Sequence, residues 1–122
     1  MDKDQLKLRT KKFSISIGQV VLTLPYNVLN KNYSNQISRC SSSVGANYRA
    51  ACRAKSTADF INKLKIVEEE LDETMFFLEL LEEFNHEKRE IIGQCWREGN
   101  ELLAIIVASL NTLRRNQSVI KS

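Results

Sequence analysis

Few residues in this chain have the type and spacing for covalent chemistry. The sole histidine, His86, lies between Asn85 and Glu87 in a polar stretch. Nucleophilic catalysis needs a base beside an activated nucleophile, and the residues around His86 supply none, so it reads as part of a turn. Cys40, Cys52 and Cys95 are odd in number and show no CxxC spacing. They fit neither a disulfide framework nor a four-ligand zinc site, and a reducing cytoplasm is the expected compartment. Glu68, Glu69, Glu70, Asp72 and Glu73 form an acidic block. Carboxylates at i and i+3 on a helix can share a divalent ion. No Glu-x-x-His accompanies them, so the di-metal pattern of helix bundles is missing. The block reads first as a solvated face or as the salt-bridge partner of a basic helix. No Gly-rich phosphate loop, GxSxG elbow or HExxH occurs. The expectation is a protein with no catalytic residue, no metal and no cofactor.

What remains is charge. The net +3 hides a sharp division: residues 1–65 hold 12 Lys/Arg and 3 Asp/Glu, whereas residues 66–101 hold 3 Lys/Arg and 12 Asp/Glu. Lys31, Arg39, Arg49 and Arg53 share one helical arc of roughly 80°. No acid lies between Lys31 and Arg53, so this segment lacks the i,i+4 partners of an ordinary surface helix. Two readings stand. Opposite halves attract within the fold and between subunits, or a basic surface receives a polyanion. On the second reading Arg39, Arg49, Arg53 and Lys55, with Lys7, Lys11 and Lys12 from the first helix, contact phosphates without reading sequence.

The elements that carry these groups are helices. Tyr33, Ile37, Cys40, Val44, Tyr48 and Ala51 recur at steps of three and four, as do Phe60, Leu64, Val67, Leu71, Met75 and Leu78. That is the period of a helical face. Helices are predicted over 4–23, 32–53, 57–84 and 88–115, with Asp4 and Ser56 as N-caps. Asn85 suits a left-handed C-cap, and residues 116–122 read as a frayed tail. Leu29 is the one buried candidate in the polar connection 27–32. Ile91, Cys95, Leu102, Ile106, Ser109 and Leu113 form the inner seam of the fourth helix, Ile92, Trp96, Leu103, Val107 and Leu110 widen it toward one side, and Trp96 reads as a packing anchor rather than a base-stacking platform. One proline and four glycines suit long helices, and 122 residues suit a single domain. The fold class is all-α, an antiparallel up-down-up-down four-helix bundle spanning 1–122. No apolar run approaches the ~20 residues of a membrane span.

Two helices carry a second apolar stripe. Leu8, Ile15 and Leu22 lie opposite the Leu6, Phe13, Ile17, Val20, Leu24 seam, and Ile66, Phe77, Leu80 and Phe84 lie opposite the seam of the third helix. A helix in a lone bundle needs one stripe. These seven residues are therefore candidates for an interface between copies of the chain.

Residues 36–81, QISRCSSSVGANYRAACRAKSTADFINKLKIVEEELDETMFFLELL, with GNELLAIIVASLNTLRR after them, resemble the bacterial four-helix-bundle proteins of the 23S rRNA intervening-sequence family. The most specific parts are Arg39-Cys40-Ser41, Ser43 to Arg49, Asp59-Phe60, Lys63-Leu64 and Glu68-Glu69-Glu70. This chain has Ala50 where the family commonly has Glu, and Gly99 where it commonly has Ala. The resemblance implies a small bundle that assembles into a ring, typically a pentamer, with no established enzymatic activity. A distant relative is the accessory subunit of a retroelement reverse transcriptase, where a basic ring engages nucleic acid and the polymerase. Residues and resemblance together point to a non-enzymatic, cytoplasmic homo-oligomer that binds RNA through helices one and two. The alternative is a protein-interaction scaffold or accessory subunit with no direct nucleic-acid role.

Overall fold

Four helices account for nearly all of the chain: α1 (Lys3–Thr23), α2 (Val28–Ala51), α3 (Thr57–Phe84) and α4 (Arg89–Lys121), with a 3-10 turn at His86–Lys88 before α4. The structure, a computed structural model, describes residues 1–121, with side chains described to Gln117. No strand occurs among the described residues, and the chain is an all-α four-helix bundle.

Each helix starts where a side chain can satisfy free backbone amides. Asp2, not Asp4, caps α1 in a reciprocal capping box with Gln5. The acid two residues earlier gains that reciprocal bond, which Asp4 cannot make from inside the first turn. Asn27 caps α2 by accepting from the Asn30 amide, so the helix begins four residues before the expected start. Ser56 caps α3 through the Asp59 amide, and both ends of that helix match the sequence expectation. Pro25 stops α1 at Thr23, because its ring permits no further helical hydrogen bond. Two boundaries differ at the C-terminal end. The expected tail continues α4 to Lys121, and Ser122 lies outside the described residues. Asn85 has φ −140° and is not in the left-handed region.

Asn85 does something the sequence did not suggest. It is buried, and it exchanges two hydrogen bonds with Asn30: each amide nitrogen donates to the other's oxygen, at 2.8 and 2.9 Å. Their remaining donors go to the Pro25 and Leu81 carbonyls. Asn30, not Leu29, is thus the buried residue at the start of α2. Buried amides left unpaired cost about 1–3 kcal/mol each, so this reciprocal pair fixes the start of α2 against the end of α3.

Helices adjacent in the chain are adjacent in space, and α4 closes on α1. Paired residues run in opposite directions. Asn30 meets Asn85 while Cys40 meets Thr74. Trp96 meets Glu79, and the backbone at Gly99 faces Met75. Arg9 meets Glu98, while Val20 lies near Ile91. The inner faces supply a continuous core, with Phe13, Ile17, Ile37, Leu64, Leu71, Leu78, Leu81, Ile92, Leu102, Ile106 and Leu110 fully buried. Burial of each such side chain stabilises by about 1.5–3 kcal/mol. On α4 the face is centred toward the wider side of the expected stripe: Ile92 and Leu110 are buried, while Ile91 and Ser109 are half-buried.

Gly99 is buried against this core, and a Cβ there would sit 2.5 Å from Met75 Sδ and 3.1 Å from Phe13 Cζ. Helix propensity alone favours alanine by up to ~1 kcal/mol, but overpacking costs about 1–3 kcal/mol, and here the clash wins. Gly99→Ala should lower the midpoint of thermal unfolding by a few degrees. Met75→Ala combined with it should be more stable than the two separate losses added together. Simple additivity in that double-mutant cycle would show that the two sites do not share space.

Candidate nucleic-acid interface

The site begins with a close approach of two helices. A Cβ on Gly45 would lie 3.6 Å from backbone atoms of both Thr10 and Lys11, so α1 and α2 meet nearly backbone to backbone. Ser14 from α1 and Ser42 and Ala46 from α2 extend this low floor. Long side chains on either side then form walls. Lys7 and Lys11 rise from α1 and Arg49 from α2, and they line two cavities of about 420 and 280 Å³ that run into one groove. Arg53 closes one end, and Leu8 and Ile15 form an apolar edge.

Four of the seven expected cations therefore converge: Lys7, Lys11, Arg49 and Arg53. Lys7 reaches Asp4 at 3.1 Å, an exposed pair of little strength. Lys11, Arg49 and Arg53 form no ion pair among the described residues. The other three sit elsewhere. Arg39 lies between α2 and α3, where its Nη2 donates to Glu73 at 2.6 Å and its Nη1 to Glu70 at 3.3 Å. The Glu73 carboxylate, with Glu70 behind it, holds that guanidinium protonated more firmly than usual. Lys12 is exposed on α1 outside the groove walls. Lys55 stands in the α2–α3 turn, where its backbone amide donates to Asp59. Lys63 and that amide together hold the Asp59 carboxyl below its usual range.

Other features separate on the same grounds. Two of the five residues of the acidic block work as internal ion-pair partners, because Glu70 and Glu73 receive Arg39. Trp96 packs on the core and donates to Glu79 at 3.2 Å. His86 is exposed in the turn before α4. Arg9 was not singled out by its spacing. It is half-buried between α1 and α4 and donates to both oxygens of Glu98, at 2.8 and 2.7 Å, with Glu101 at 3.1 Å. Such a forked pair is among the stronger surface interactions, and its acids lie some 90 residues away in the chain, beyond any local signal.

The outer stripes are only partly as expected. Leu22 is 87 % exposed, Leu8 52 % and Ile15 50 %. Ile66 and Phe84 are exposed too, but Phe77 and Leu80 are half-buried, and Phe77 packs near Tyr33 at 6.2 Å between ring centroids. The missed residue is Phe76, 56 % exposed and resting edge-on against Phe77. Two adjacent phenylalanines point to different sides of a helix, and periodicity assigned only one of them.

The sequence model of a family described as 23S rRNA-intervening sequence protein matches residues 5–108. The chain belongs to this family. The matched span includes Lys7, Lys11, Arg49 and Arg53. Among solved structures, a protein of unknown function from the S23 ribosomal protein family of Bacteroides thetaiotaomicron is similar, with 32 % identity and a TM-score of 0.75. The similarity covers 86 % of this chain and 97 % of that one. No curated protein matches the chain. No helix among the described residues is long and apolar enough to cross a membrane.

Cys52 offers a probe of the groove in this intervening-sequence protein. It is half-exposed and lines the groove beside Arg49 and Arg53, whereas Cys40 and Cys95 are buried. Burial pushes both buried thiols up, although the Thr74 hydroxyl partly offsets this at Cys40. The thiolate is the reactive form, so a maleimide at pH 8 should label one thiol quickly and two slowly. Mass mapping should place the fast label on Cys52. Fast labelling of Cys40 or Cys95 would contradict this packing.

Proposed function

We propose that this family member is a non-enzymatic, cytoplasmic RNA-binding protein that takes phosphates into the α1/α2 groove and self-associates through its outer stripes. One observation carries the RNA-binding reading: four cations line a single groove and three of them have no acid partner among the described residues. Lys11, Arg49 and Arg53 neutralise no acid of the fold among the described residues, and a phosphate backbone would supply their counter-charge. Flexible Lys and Arg around a floor of small residues offer no fixed donor pattern for base edges. The groove suits backbone contact, and RNA would be selected by shape.

A second reading has its own support. Leu8, Ile15, Leu22 and Phe76 are apolar and largely exposed, as in a scaffold or accessory subunit whose partner is protein. The self-association proposed here accounts for the same residues, and the family resemblance suggests a pentameric ring.

RNA binding is tested with a structured rRNA stem-loop across a salt series, with duplex DNA of equal length as competitor. Arg49→Glu with Arg53→Glu should weaken binding at least tenfold and flatten the slope of log affinity against log salt by ~0.7–0.9 per lost contact. Arg39→Gln should leave affinity unchanged, because that guanidinium already serves Glu70 and Glu73. Unchanged binding in the groove variant would overturn the assignment. Self-association has a separate check: Ile15→Asp with Leu22→Asp should yield a folded monomer by light scattering and circular dichroism. A native mass equal to the wild type would remove those residues from the interface.

A further inference from the structure

The bundle carries two outer faces that match each other. α1 and α3 lie diagonally across it. The outer face of α1 presents Leu8, Ile15 and Leu22 with Lys11 and Lys12 beside them. The outer face of α3 presents Phe76 flanked by Glu69, Asp72 and Glu83, all exposed and without an ion pair among the described residues. At ~100° per residue those three acids fall within about 40° of Phe76. One face is apolar and basic, the opposite face apolar and acidic. Faces that complement each other but are not the same surface make a head-to-tail contact, which propagates until rotation closes a ring.

The basic member of this pair is also the edge of the RNA groove. Leu8 and Ile15 form its apolar wall, and Lys11 lies between them, three residues after Leu8 and four before Ile15. A second copy seated with Phe76 against that wall would bring Glu69, Asp72 and Glu83 to the cations that phosphates require. We propose that the acidic α3 face of a second copy and the phosphates of RNA compete for the α1/α2 groove, so that RNA binding dissolves the head-to-tail contact and self-association masks the RNA site. The inference rests on the RNA-binding reading above and adds its regulation.

The mechanism is mass action on a shared surface. A chain whose groove is occupied by a neighbour cannot take RNA, so apparent affinity falls with the fraction of open chains. When about 90 % of chains are assembled, RNA binding weakens about tenfold. Salt acts on both equilibria, because the same cations serve each.

The test uses full-length protein and a rRNA stem-loop probe. Phe76→Asp, and separately Asp72→Lys with Glu83→Lys, alter exposed residues across the bundle from the groove. Circular dichroism should confirm that both variants fold. Both should be monomeric by sedimentation at concentrations where the wild type assembles, and both should bind the stem-loop about tenfold more tightly than the wild type there. Added stem-loop should dissociate the wild-type assembly. An assembly that binds the stem-loop as well as the monomeric variants do would overturn the competition and leave RNA binding standing. So would a wild type that stays monomeric at every concentration while binding RNA. A stem-loop that binds neither the assembly nor the monomeric variants would sink the RNA reading itself, and the competition with it.

Discussion

The contact on which the rest of this structure depends is the near backbone-to-backbone approach of α1 and α2. With Gly45 against Thr10 and Lys11 at 3.6 Å from where a Cβ would lie, an alanine fits and a larger residue forces the helices apart. Helices separated by large side chains stand ~8–10 Å apart with the space between them filled. Here the floor is Ser14, Ser42, Gly45 and Ala46, and the space above it stays open. The buried side uses the same economy of volume. Thr10 is fully buried where a larger residue would wedge the helices, and its hydroxyl donates to the Leu6 and Lys7 carbonyls of its own helix. The lysines and arginines form walls of a groove, rather than a fringe on a convex surface, because this seam is shallow.

Which cations remain free follows from the border on which each one stands. The first two helices are basic and the third is acidic, while α4 brings Glu98 and Glu101 to its border with α1. A cation on the α1/α4 border meets acids, and Arg9 is taken by Glu98 and Glu101. A cation on the α2/α3 border meets acids too, and Arg39 is taken by Glu70 and Glu73. At the α1/α2 border Asp4 lines the groove but pairs with Lys7, and Lys11, Arg49 and Arg53 form no ion pair among the described residues. Attraction between the oppositely charged parts of the chain therefore holds two seams, and the third is left basic.

The sequence disclosed the helices better than their meetings. Ser56 with Asp59 gave α3 its start without ambiguity, since cap and acid are local signals. The start of α2 was misplaced because Asn27 and Asn30 have the composition of a loop. Asn30 becomes an interior residue only through Asn85, 55 positions away. Arg39 and Arg49 occupy one arc on the wheel, and only the identity of the flanking helix separates a structural ion pair from a free wall of the groove. Phe76 was passed over because the neighbouring Phe77 satisfied the stripe, although Phe76 is the more exposed of the two. Local chemistry was legible. The pairing of distant faces was not.

A basic groove has an energetic consequence for the isolated chain. Two unit charges about 10 Å apart repel by only ~0.4 kcal/mol in water, and salt reduces this further. Four such groups cost little as long as water reaches them, so the fold tolerates the groove with its stability resting on the core. The balance changes when a surface closes over it. A covering surface without acids would desolvate the cations and leave them uncompensated, at a cost of several kcal/mol for each buried charge. A covering surface that carries anions gains from the same desolvation. The groove is therefore selective by charge before any shape is considered. Its charge disfavours neutral apolar partners despite the exposed Leu8 and Ile15 on its edge, and favours a surface that carries anions. The acidic outer face of α3 is present on every copy of the chain at the concentration of the groove itself, so any anion that uses the groove must do so against that background.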